Sequence, residues 1–148
     1  MPPRKLVLGL PLYGRSFTLA GRAEDHPEKG FGMAAIKGGE PGVFTNERGY
    51  LSYYEICDNV RSKGWKVMRD ESGSAFAYHH NQWVGYDDPE ALRKKSEYIR
   101  EMNLLGGMVW ALDLDDFASF CCQTRYPLME TLNTQLRGLH SDKNITCV

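Results

Sequence analysis

The stretch that most constrains the fold is "WVGYDDPEALRKKSEYIREMNLLGGMVWAL", residues 83–112, which reads as strand, helix, strand. Asp88 supplies a side-chain acceptor at the helix N-cap, and Pro89 sits at the first helical position, where its missing N–H is not needed. Glu90 lies near the positive end of the helix dipole. Leu92, Ile99 and Met102 share one face, and Arg93, Lys94 and Arg100 can point outward. Asn103 tolerates a left-handed backbone ahead of Gly106-Gly107, where the helix must stop. Two strands joined by a helix of this length are expected to run parallel, with Trp83 to Tyr86 as the first and Met108 to Leu112 as the second.

Lys5 to Leu10, "KLVLGL", is a continuous apolar run of the kind buried on both faces of a parallel sheet. Pro11 and Gly14 punctuate its end. From Ala20 to Gly49 glycines, prolines and charges dominate, as in loops between short strands. Gly49 to Val60 has helical spacing. Trp65 to Met68, Ala75 to Tyr78 and Gln82 to Gly85 are strand candidates, with a turn at Glu71-Ser72-Gly73. A last helix follows Pro127, its stripe formed by Leu128, Leu132, Leu136 and Leu139. The expectation is three buried parallel strands with an α+β insert between the first and second. Three strands cannot close a barrel and leave both sheet edges open, so the chain is expected to be part of something larger.

Composition narrows the function. The 148 residues fit one domain, and a net charge of −1 with both signs scattered excludes the basic footprint of a nucleic-acid binder. No apolar run approaches the roughly 20 residues of a membrane helix. Near the start, Leu6 to Leu10 is too short for a signal-peptide core and no small-residue cleavage site follows. The four cysteines, Cys57, Cys121, Cys122 and Cys147, lack the paired C-x-x-C spacing of a metal site. Adjacent Cys121 and Cys122 are poorly placed to bond each other. Asn144 opens a glycosylation sequon, Asn144-Ile145-Thr146. Cysteines and sequon together point to an oxidising, extracellular setting.

"WALDLDDF" places Asp113, Asp115 and Asp116 just after a tryptophan, an arrangement that invites an acid-catalysis reading. Strand alternation argues against it: Trp110 and Leu112 share one face, Ala111 and Asp113 the other. Asp115 and Asp116 follow the strand end, where Asp commonly caps loops and helices. Asp87 and Asp88 add acids but not the oxygen-rich loop that calcium or magnesium needs, so no metal is expected.

Four stretches carry a resemblance: "LGLPLYGRSF" (Leu8 to Phe17), "GYLSYYEIC" (Gly49 to Cys57), "NQWVGYDDPEALRKK" (Asn81 to Lys95) and "GGMVWALDLDDF" (Gly106 to Phe117). Together, in this order, the chain resembles glycoside hydrolase family 18, the chitinases and chitinase-like lectins, and within it the animal branch, up to about Leu136. The resemblance implies an α/β fold: a partial TIM (β/α)8 barrel, its last three strands, carrying an inserted α+β insertion domain. Residues 1–15 would be the sixth strand and its loop, 16–82 the insertion, 83–140 the seventh and eighth βα units, and 141–148 a tail. A whole barrel takes about 250 residues.

Family members cleave chitin, the β-1,4-linked polymer of N-acetylglucosamine. Their acid is the last Glu of Asp-Gly-x-x-Asp-x-Asp-x-Glu, and the substrate's acetamido oxygen is the nucleophile, an exception to the two-carboxylate scheme. Asp113-Leu114-Asp115-Asp116 imitates the middle of that motif, but the next glutamate is Glu130. No catalytic residue, cofactor or metal is therefore expected in this chain, whose expected partner is chitin or a chito-oligosaccharide.

What the resemblance assigns is sugar binding. Trp110 would form the floor under the bond that breaks, although core packing is the residue's default role. Tyr13 and Arg15 would hydrogen-bond the sugar, with a rim salt bridge as the alternative for Arg15. Glu47 and Tyr50 would belong to a wall of the cleft; many animal members carry Met where Tyr50 stands. Trp65, Tyr78 and Trp83 are read as core aromatics. Cys57 and Cys122 align with a disulfide tying insertion to barrel, worth about 4 kcal/mol in the chain-entropy view. Cys121 would compete for Cys57 or pair with Cys147. The parent would be an active chitinase or a chitin-binding lectin without the acid.

Overall fold

The computed structural model describes residues 1–138 together with Ile145 and Cys147. Leu139, expected on the last helix stripe, and the sequon residue Asn144 lie outside the described residues.

The described residues form two sheets. In the first, β1 (Val7–Pro11) and β8 (Gly106–Trp110) pair in parallel, in register from Val7 opposite Gly106 to Pro11 opposite Trp110. The second is antiparallel, with β2 (Tyr13–Leu19) flanked on one side by β3 (Ala35–Gly38) and β4 (Tyr50–Ser52). On its other side follow β7 (Gln82–Tyr86), β6 (Ala75–His79) and β5 (Lys66–Arg69). Only Leu12 separates β1 from β2, so the chain steps directly from one sheet to the other. The Leu12 amide donates to the Trp110 carbonyl at 2.9 Å, which ties that step to the end of β8.

This topology corrects the three-strand expectation. Residues 83–86 belong to the antiparallel sheet, where Phe17 pairs with Trp83 and Tyr78 pairs with Trp83 from the other side. A tight β6–β7 hairpin, turning through His80 at φ +52°, commits the segment to antiparallel pairing before the helix begins. The helix then delivers β8 onto β1 itself, so the chain holds two adjacent parallel strands with none between them. The second of these also stops at Trp110, short of the expected Leu112, because Leu112–Leu114 winds into a 3-10 turn.

Among the described residues, three α-helices accompany the sheets. Helix α1 (Tyr53–Ser62) opens on a capping box: the Glu55 amide donates to the Ser52 hydroxyl, and the Ser52 amide donates to the Glu55 carboxylate. Helix α2 (Pro89–Glu101) is capped by Asp88, which accepts from the Ala91 amide at 2.9 Å. It buries Leu92 and Ile99, but Met102 falls at its C-terminus and is exposed. Helix α3 (Pro127–Arg137) buries Leu128 and Leu132 and ends at Gly138, φ +64°. Both α2 and α3 pack with Leu10 and Leu12 in one core, and a Cβ on Gly107 would meet the Leu10 side chain at 2.7 Å, so glycine at this place in β8 leaves room for Leu10 of the neighbouring β1.

Two disulfides join these parts, and they differ from the expected Cys57–Cys122 pairing. Cys57 of α1 bonds Cys121, with Cα atoms 5.4 Å apart, and Cys122 bonds Cys147, at 4.3 Å. Neighbouring half-cystines project in different directions, so only one can reach α1. The Asp116 carboxylate fixes the backbone of both, by accepting from the Cys121 amide at 2.6 Å and the Cys122 amide at 3.4 Å.

Candidate functional site

The step from β1 to β2 builds the site. Tyr13 and Arg15 alternate with buried Gly14 and Ser16, so both stand on the same face of β2. The β4 register sets Tyr50 directly across from Arg15. The Tyr13 and Tyr50 rings lie 4.7 Å apart at 34°, and the Arg15 guanidinium carbon sits 5.3 Å and 5.4 Å from their centroids. Two rings hold one cation by its attraction to their negative faces, and Arg15 remains exposed. Burial pushes the Tyr50 hydroxyl up, and the nearby Tyr13, Asp113 and Glu47 raise it further against the pull of Arg15. Trp110 ends the adjoining β8, 65% exposed, which leaves its ring open rather than in a core.

The segment carrying Glu47 and Tyr50 is held from beneath by Glu55. This buried carboxylate accepts from the amides of Phe44 at 2.7 Å, Thr45 at 3.0 Å and Ser52 at 2.9 Å, and from the Thr45 hydroxyl at 2.9 Å. Burial opposes its ionisation, but these hydrogen bonds prevail and hold its pKa below the ordinary carboxylate value.

The three aspartates after Trp110 divide. Asp115 is fully buried and accepts from the amides of Asp116 at 2.8 Å, Leu128 at 3.3 Å and Met129 at 2.9 Å, which caps α3 from a distance. Burial nonetheless leaves its pKa raised. Asp116, also fully buried, accepts from Phe120, Cys121 and Cys122. Asp113 is exposed, and its charge reaches Tyr50. Strand alternation sends it away from Trp110; the 3-10 turn at Leu112 ends that alternation and brings its charge near the site. The signal that could have located it is the strand's early end.

Asp87 is buried against Lys95 at 2.5 Å, and Asp88 pairs with Arg69 while capping α2. Among the described residues, no group of three or more His, Cys, Asp or Glu side chains is arranged to hold a metal ion. The arrangement as a whole offers an open aromatic ring, a fixed guanidinium, two phenols and two flanking carboxylates. That set can bind a polar ligand that has an apolar face.

Comparison with known proteins shows which family the chain is similar to. The sequence profile of glycosyl hydrolases family 18 matches residues 1–115. Probable chitinase 10 of Drosophila melanogaster is 43% identical over 150 residues, spanning 100% of this chain and 6% of that protein. Catalytic domain 2 of the Ostrinia furnacalis group II chitinase, as a mutant in complex with (NAG)5, superposes with a TM-score of 0.84 at 44% identity, covering 99% of this chain and 37% of that one. Human YKL-39, described as a pseudo-chitinase with retained chitooligosaccharide binding properties, superposes at 0.82 and 40% identity, covering 93% and 36%. The chain thus spans well under two thirds of each of these proteins. It belongs to glycosyl hydrolase family 18.

Proposed function

We propose that this chain forms the floor and one wall of a cleft that binds chitin as β-1,4-linked N-acetylglucosamine oligomers. The observation that carries this reading is the Tyr13–Arg15–Tyr50 cluster, with the guanidinium within 5.4 Å of both rings. In this reading the Trp110 ring receives the apolar face of a sugar, Arg15 donates to its hydroxyl or acetamido oxygens, and Glu47 accepts from its hydroxyls. The parallel pair β1 and β8 is two adjacent strands of the parent's (β/α)8 barrel, and the antiparallel sheet with α1 is its insertion. The parent hydrolyses chitin with the substrate's acetamido group as nucleophile, its proton donor lying outside this chain.

The second reading is a binding protein without that donor. It is supported by the likeness to YKL-39, a pseudo-chitinase with retained chitooligosaccharide binding properties. The two disulfides support secretion, since such bonds persist in oxidising compartments.

The test is calorimetric titration of the 148-residue chain with chitotetraose. Binding is expected, with Arg15→Ala weakening it roughly 10-fold or more, as for loss of a charged hydrogen-bond donor. Failure to bind, or equal affinity in the variant, contradicts the reading.

A further inference from the structure

The sheet face that carries Arg15 continues beyond it. Arg15 and Phe17 on β2 lie opposite Gly85 and Trp83 on β7, and Phe76 on β6 lies opposite Gly85. Two glycines shape what stands there. Gly85 leaves its α-carbon bare for the six-membered ring of Trp83, and a Cβ at that position would sit 3.1 and 3.2 Å from the ring carbons. The indole therefore extends along the strand towards Arg15, with one face stacked on Phe76 at 5.4 Å and 24°. Gly30, buried at φ +90°, lets the loop before β3 press against the other end of the indole, where a Cβ would lie 3.2 Å from Cδ1. Phe31 then stands at the surface, 43% exposed, its ring 6.5 Å from Trp83 and 6.1 Å from Phe76.

Between these groups runs a groove. A cavity of about 300 Å³ extends from Tyr13 and Arg15 to Trp83 and Phe31. A second, of about 560 Å³, begins at Phe31 and reaches Met68. Phe31, Asp70 and Phe76 border both, so the two form one path with Phe31 on its wall. Each falls within the roughly 300–1,000 Å³ of small-ligand sites. Trp83 is thus core on its Phe76 side but only half-buried overall.

We propose that this groove is a further subsite region for the same chito-oligosaccharide, whose chain engages Trp110, Tyr13 and Arg15 and runs on over Trp83 past Phe31. The inference rests on the carbohydrate-binding reading above. Arg15 borders both the cluster and the groove, so a linear polymer held there has a continuous path onto the second surface. Aromatic rings along the path match the apolar faces of pyranose rings, and Asp70 and Ser74 on its rim match their hydroxyls.

The experiment compares chitobiose with chitopentaose binding to the 148-residue chain by calorimetry. Phe31→Ala is expected to weaken the pentamer roughly five-fold, the scale of one aromatic contact, and to leave the dimer unchanged. Phe31→Tyr restores the pentamer's affinity, and Arg15→Ala weakens both sugars. Melting of Phe31→Ala stays near that of the unsubstituted chain, because the ring is exposed. Unchanged pentamer affinity in Phe31→Ala, or equal loss for dimer and pentamer, overturns the groove and leaves the carbohydrate reading standing. An unsubstituted chain that binds neither sugar overturns both.

Discussion

The two sheets differ in how far this chain completes them. The antiparallel sheet encloses its centre, with Ala75 to Tyr78 of β6 all buried and Val84 and Ile56 sealed on its α1 side, while its outer strands β3 and β5 are exposed. The parallel pair is covered by α2 and α3 on one face only. Val7, Leu105 and Met108 around it are 48%, 67% and 50% exposed. A two-stranded parallel unit with bare apolar groups lacks the two-sided cover that parallel sheets ordinarily have. The candidate site lies where the complete sheet meets the incomplete one.

Breaking the link between the two should have an effect as large as emptying a core position. Replacing Cys57 and Cys121 by serine opens a loop of 64 residues and is expected to cost about 4 kcal/mol, read as a lower midpoint in chemical denaturation. Ile56→Ala, in the core of the self-contained sheet, is expected to cost about 2–5 kcal/mol in the same assay. Met108→Ala in the parallel pair should change stability by less than about 0.5 kcal/mol, since its side chain already meets solvent. A Met108→Ala cost equal to that of Ile56→Ala would erase the distinction between the sheets.

Acid should also act on the two regions with opposite sign. Glu55, under the antiparallel sheet, has a lowered folded pKa. Its contribution is present above the ordinary carboxylate value and is lost as pH falls through the folded one. Asp115, which caps α3 behind the parallel pair, has a raised folded pKa. Its contribution is present at low pH and is lost as pH rises through that raised value. In denaturation midpoints measured from pH 7 downward, Glu55→Gln is expected to flatten the acid-side loss. Asp115→Asn is expected to steepen it, because the opposing contribution is removed. A Glu55→Gln variant with an unaltered acid slope would show that the hydrogen bonds to Phe44, Thr45 and Ser52 do not set that response.

Parts of this comparison are legible in the residues. Asp88-Pro89 marks the start of α2, and the crowding of acids after Trp110 reads correctly as capping, because both signals depend on local backbone geometry. The membership of β7 is not legible. A strand before a helix looks the same whether its partner is parallel or antiparallel, and here the hairpin at His80 decides. The cysteine pairing also escapes sequence reasoning, since adjacent Cys121 and Cys122 are equivalent in spacing and only the folded geometry brings Cys121 to Cys57 and Cys122 to Cys147. Tyr13, Arg15 and Tyr50 are named by family likeness, whereas their mutual contact depends on the β2–β4 register. Trp83 packs against the Phe76 core as its residue type suggests, whereas Asp113 escapes because alternation does not report where a strand ends.

The most direct measurement follows the three indole N–H resonances by NMR while the chain is titrated with chitotetraose. Trp110 is expected to shift and saturate together with the Arg15 side chain. Trp65, on the far side of the antiparallel sheet, should stay in place. Saturable shifts at Trp65 with Trp110 unmoved, or no saturable shift at all, would contradict a sugar floor at the junction of the two sheets.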